Sequence, residues 1–159
     1  MTRRTALVVA SAVLLSLLEQ GTAGAASGRL NIPKIGVQAQ IMRVGLDGTG
    51  SLAIGDRLQG TIYTWRQGDP PCDATGTTVY AGHAWRAGNG VADRWGRLRR
   101  GDRIHVSGCT FKVTRREFWS AERSMGHLFT VGGRPQIVLI GCKADNYAKR
   151  TMIFAEKVR

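Results

Sequence analysis

The chain has 159 residues, of which 23 are basic and 11 acidic, for a formal charge of +12. That length leaves room for one domain. The basic residues are scattered and have no stacked-aromatic platform beside them, which argues against a nucleic-acid partner. The charge suits polyanions such as cell-wall polymers or anionic lipid heads, or else only a solvated surface.

In chain order, Met1-Thr2-Arg3-Arg4 is a short positive start, Ala6 to Leu18 is almost purely apolar, and Ala23-Gly24-Ala25 has the small-x-small pattern of a cleavage site. The apolar run is too short to cross a hydrocarbon core of about 30 Å. Residues 1–25 therefore read as a signal peptide, with a retained signal anchor as the alternative. On either reading residues 26–159 form a domain that works outside the cytoplasm. It would be secreted, or held at the outer face of the membrane or cell wall, where association with the membrane surface remains open.

From there apolar residues recur in short runs separated by Gly, Asp and Asn, the pattern of an all-β barrel or sandwich. The expected strands are Arg29–Ile32, Ala39–Met42, Ser51–Ile54, Thr61–Trp65, Thr77–Ala81, Arg103–Val106, Thr110–Phe118, Pro135–Cys142 and Thr151–Lys157. Ile104 and Val106 alternate with Arg103, His105 and Ser107, as in a half-buried strand. Ile137-Val138-Leu139-Ile140 has no alternation and is expected to be covered on both faces. Short helical turns are expected around Val91–Gly96 and Ala121–Leu128. There is no internal repeat and no sign of a second domain.

The three cysteines are an odd number in a chain expected to meet an oxidising compartment. Cys72 and Cys109 lie in turns and Cys142 ends a strand, which suggests a Cys72–Cys109 disulfide and a free Cys142. A cysteine ending a buried strand is ordinarily just a small apolar residue. Lys143 beside it, and Arg150 where the next strand should begin, change its prospects, because nearby positive charge favours the thiolate and can hold an oxyanion. A thiolate nucleophile also needs a proton-handling partner. Of the three histidines, His83 ends a strand at the mouth of a Gly-rich loop and is preferred. His105 reads as a surface strand residue, and His127 as a structural or solvent-facing one at a helix end.

Several segments together resemble the sortase family. Thr78-Val79-Tyr80-Ala81-Gly82-His83 is similar to the sortase strand that ends in Ala-Gly-His. Gly90, Trp95 and Leu98-Arg99-Arg100-Gly101-Asp102-Arg103-Ile104-His105-Val106 resemble its loop, short helix and Leu-x-x-Gly-Asp-x-Ile-x-Val segment. Val138-Leu139-Ile140-Gly141-Cys142 resembles its Thr-Leu-x-Thr-Cys strand, and Arg150 stands in the place of its arginine. Leu30 to Val37 and the Leu46–Gly50 turn are similar to the family's entry region. The likeness covers about Leu30 to Phe154 and departs at Gly141, where threonine is usual. The short Cys-to-Arg loop resembles the compact, class E/F-like sortases of high-GC Gram-positive lineages.

The resemblance implies a closed β-barrel of seven or eight strands with short connecting helices, acting as a monomeric cysteine transpeptidase without a cofactor. It implies Cys142 as nucleophile, His83 as general acid and base, and Arg150 as oxyanion stabiliser. The expected partners are secreted proteins with a Leu-Pro-x-Thr-Gly-like sorting signal and an amine acceptor of the cell wall. Two other readings stand beside it. One is an unrelated exported cysteine enzyme, although the order of His83 before Cys142 does not suit those families. The other is a non-catalytic basic β-barrel domain that binds cell-wall polyanions, for which Gly141 speaks.

Overall fold

A computed structural model describes residues 26–158, apart from 49, 56–59, 69, 74 and 130–131. The expected signal segment lies outside the described residues. Among the described residues there are eight strands: β1 (Ala26–Ile32), β2 (Val37–Val44), β3 (Thr61–Trp65), β4 (Thr77–Gly82), β5 (Arg103–Val106), β6 (Cys109–Ser120), β7 (Gln136–Lys143) and β8 (Asn146–Lys157). They close into one barrel in the order β1-β2-β3-β4-β7-β8-β6-β5. The ring is completed by Leu30 against Val106 and Asn31 against His105. Only β2–β3 and β4–β7 pair in parallel. Each of these pairs therefore needs a long connection between its strands.

Side-chain alternation sorts the wall into an inner and an outer face. Ile41, Ile62, Tyr80, Ile104, Phe111, Ile137, Leu139 and Ile153 pack together inside the barrel. The 3-10 turn Trp95–Arg97 plugs one end of that core with the fully buried Trp95. Val79, Val138, Ile140, Met152 and Phe154 form a second cluster on the outside, with Trp119 and Leu128. The unbroken apolar run of β7 thus serves two cores, one residue in and the next out. Burial of both faces is what that run anticipated.

The expected strand Ser51–Ile54 is not formed; the segment makes only an isolated bridge between Leu46 and Leu52. The reason is topological. β2 already has β1 on one side and β3 on the other, so no place in the barrel remains for that segment. β8 begins at Asn146, well before the expected Thr151, because Cys142–Lys143 and Asn146–Arg150 continue the β7–β8 hairpin beyond the apolar core. The expected helical turns shrink to the 3-10 turns Trp95–Arg97 and Gly126–Leu128. No helix among the described residues is long and apolar enough to cross a membrane.

Cys72 and Cys109 are joined in a disulfide with Cα atoms 5.8 Å apart. It ties the β3–β4 connection to the first residue of β6, and Lys157 Nζ donates to the Cys72 carbonyl at 2.8 Å. The crosslink closes a loop of 37 residues. On the chain-entropy model that constraint contributes about 3–4 kcal/mol.

Candidate active site

Two adjoining pairs of strands bring the three proposed residues to one level of the wall. In the parallel β4–β7 pair, Gly82 lies opposite Gly141. The next residues, His83 and Cys142, therefore leave neighbouring strands side by side. In the antiparallel β7–β8 pair, Cys142 lies directly opposite Arg150. By alternation Cys142 shares the outer face with Ile140, and Arg150 shares it with Met152 and Phe154. His83 continues the outer register of Val79 and Ala81. Residues far apart in the chain meet because β7 is inserted between β4 and β8.

Why the wall is so tight here follows from the inner face. A Cβ on Gly82 would lie 2.7 Å from both the Trp95 ring and Val91, and one on Gly141 would lie 2.4 Å from Ala92 Cβ. The Val91–Trp95 segment is pressed against these two facing glycines, which leaves no volume for a side chain at either position. Gly141 in place of threonine is thus a packing requirement of this barrel, matched to a large tryptophan beneath it.

The loop after His83 is braced by one carboxylate. Asp93 accepts from the Trp85 amide at 2.7 Å and from the Gly90 amide at 2.8 Å. Ala92 N–H donates to the His83 carbonyl at 3.0 Å. Gly90 fits only because it has no side chain: a Cβ there would be 2.5 Å from the His83 carbonyl oxygen. The His83 ring meets the fully buried Tyr63 edge to face, with centroids 6.1 Å apart. Tyr63 lies opposite Ala81 on β3 and so flanks His83 diagonally. Its contact was not legible in the sequence, where it is one aromatic among several; only the β3–β4 register singles it out.

Cys142 is half-buried and its thiol is free. Arg150 is also half-buried and makes no ion pair or hydrogen bond among the described residues, so its guanidinium is available to a bound group. Lys143 does not join them. It pairs with Asp145 and lies over the Phe118 ring. That pairing holds the Asp145 carboxyl below its usual range. The charge that the sequence placed beside the thiol is engaged elsewhere, which leaves Arg150 as the cation facing it.

Neither of the other histidines joins the group. His105 Nδ1 is 3.0 Å from Thr110 Oγ1 on the neighbouring strand. His127 stacks on Trp119 with centroids 5.4 Å apart. Trp119 is the β6 partner of Arg150 and donates its ring N–H to Glu117 at 2.6 Å. The segment Ala121–Phe129 thereby lies against the outer face next to the site, and its Phe129 packs edge to face on Trp65 at 6.2 Å.

The closed barrel thus brings a free cysteine on β7, an arginine on β8 and the histidine that follows β4 to one level of its wall, the kinds of group that acyl transfer through a thiol uses. The sortase domain model matches residues 30–158, and the chain belongs to the sortase family, whose members are cysteine transpeptidases. Among solved structures the barrel is similar to Listeria monocytogenes sortase A, with a TM-score of 0.67 and 18% identity, over 85% of this chain and 88% of that one. It is also similar to sortase C-1 of Actinomyces oris, with a TM-score of 0.68 and 22% identity, over 84% of this chain and 74% of that one. The Clostridium perfringens sortase D5 transpeptidase matches with a TM-score of 0.65 and 19% identity, over 84% of this chain and 79% of that one. No curated protein matches the chain.

Proposed function

We propose that this sortase cleaves a Leu-Pro-x-Thr-Gly-like sorting signal after its threonine and transfers the acyl part to an amine of the cell wall. The observation that carries the reading is the register that puts His83 beside Cys142 and Arg150 opposite it. The Cys142 thiolate attacks the threonine carbonyl carbon, and an Arg150 N–H donates to the oxyanion that forms. The carbon–nitrogen bond then breaks, and His83 as imidazolium gives its proton to the departing glycine amine. A thioacyl-enzyme remains. An incoming amine attacks it, loses a proton to His83, and expels the Cys142 thiolate. Export through the N-terminal segment and action at the cell surface belong to the same reading.

The polyanion-binding alternative drew on Gly141. With that glycine accounted for by Ala92 and Trp95, nothing in the site favours an inert barrel over a catalytic one. The test is intact mass of the purified protein after incubation with Leu-Pro-x-Thr-Gly-like and Leu-Ala-x-Thr-Gly-like peptides. The expected product is an adduct equal to the peptide truncated after threonine, absent in Cys142→Ala and slowed about 10²–10⁴-fold in His83→Ala. No adduct with any peptide, from protein whose Cys142 thiol titrates as free, would return the chain to the binding-domain reading.

A further inference from the structure

At the end of the barrel opposite Cys142, where β4 and β7 begin and β2 and β3 end, lies a cavity of about 190 Å³. It is lined by Arg43, Thr64, Thr78, Tyr80 and Ser107, and is closed on one side by Pro70 to Cys72 of the disulfide-tied loop. At about 30 Å³ per water it has room for about six waters. Thr78 and His83 are five positions apart on one strand, so cavity and thiol are separated by roughly 16 Å of barrel wall.

The lining has an uneven set of hydrogen-bonding groups. Arg43 Nη2 donates to the carbonyls of Arg66 and Gly68, at 2.6 and 2.8 Å. Its Nε is buried and has no partner among the described residues. No carboxylate of a described residue lines the cavity. Tyr80 is 1% exposed, and its hydroxyl takes no hydrogen bond among the described residues. Burial keeps that phenol protonated, so it is a donor throughout the physiological range. Thr64 already donates to the Val79 carbonyl at 2.9 Å and offers only acceptor capacity. A half-buried guanidinium with a buried, unpartnered Nε, and a phenol hydroxyl beside it, around a space large enough for a small group, favour a negatively charged occupant.

The geometry points to this cavity as a binding site for a single oxyanion, a phosphate or carboxylate group, held by Arg43 and the Tyr80 hydroxyl. A guanidinium edge suits such groups because its N–H vectors run parallel to two oxygens. The oxyanion can be free in solution or carried on a lipid headgroup. Ala26, the first described residue, pairs with Met42 beside Arg43 at this same end of the barrel.

The test is thermal unfolding of the full chain across an inorganic phosphate titration, with chloride exchanged out to hold ionic strength constant. The expected result is a saturable rise in Tm. Tyr80→Phe deletes only a hydroxyl that has no partner among the described residues and leaves the Arg43 brace in place; it should weaken phosphate about fivefold. Arg43→Gln should abolish the rise. Equal phosphate affinity in Tyr80→Phe overturns the site whatever Arg43→Gln does, since binding then lies elsewhere on the basic surface. The absence of any saturable shift with phosphate or acetate also overturns it. Flotation with phosphatidylglycerol vesicles, against phosphatidylcholine, separates the two sources. Retention that Tyr80→Phe reduces assigns the oxyanion to a headgroup, whereas a Tyr80-dependent phosphate shift without such retention assigns it to a free anion. Failure of the peptide adduct experiment would leave this result untouched.

Discussion

The two ends of the barrel hold their strands together by different means. At the far end a covalent bond from Cys72 to Cys109 pins the β3–β4 connection to β6, and Arg43 gathers loop carbonyls. At the Cys142 end the described residues contain no crosslink. The wall is held by the fit of Trp95, Val91 and Ala92 against Gly82 and Gly141. The difference teaches where each kind of change should be felt. The far end bears on the stability of the whole barrel, and the near end on the spacing of a few reacting atoms.

The sharpest way to separate the two is Arg150→Ala. It removes a half-buried cation whose side chain has no ion pair or hydrogen bond among the described residues, so unfolding should scarcely move. Acyl transfer should fall about 10²–10³-fold, mostly in kcat, as for loss of one oxyanion donor. A fall confined to KM would mark Arg150 as a binding residue and break the assignment. Next in size is Cys72→Ser combined with Cys109→Ser. Stability should drop by about 3–4 kcal/mol, measured by urea unfolding, while kcat of the folded fraction stays within about twofold. A large loss of kcat at full folding would mean that the two ends are coupled. The smallest effect is expected from Gly141→Thr, which restores the residue usual in the family. It should cost about 1–3 kcal/mol through overpacking on Ala92, and should slow acylation as well by displacing the Trp95 turn. If it is neutral in both readouts, the Cys142 end is looser than the facing glycines imply.

How much of this was legible in the sequence depends on whether the signal was local. Thr61–Trp65 and Arg103–Val106 fall where their alternation and flanking turns place them. Cys142 and His83 were expected at strand ends and lie at the ends of β7 and β4, whereas Arg150, expected where a strand begins, lies inside β8. What the chain could not announce was pairing. The parallel partnership of β4 with β7 leaves no mark in either segment, yet it determines that His83 meets Cys142. Ser51–Ile54 had the composition of a strand and lacked only a neighbour. Lys143 had the right position beside the thiol, but strand alternation and Asp145 take it away. Tyr63 and the Ala92–Trp95 packing are long-range consequences of closure and carry no periodic signal of their own.

The parallel β4–β7 pairing also has a kinetic meaning. Its hydrogen bond from Gln136 to Thr77 joins residues 59 apart, and the ring closes only when β1 meets β5. Folding that depends on such distant contacts is slow, on the order of milliseconds to seconds. Until it is complete, Cys142 has neither His83 beside it nor Arg150 across from it, and is an ordinary thiol in an extended chain. On the proposed reading the thiol gains its partners only once β7 has paired with both β4 and β8, so an unfolded chain carries no assembled site.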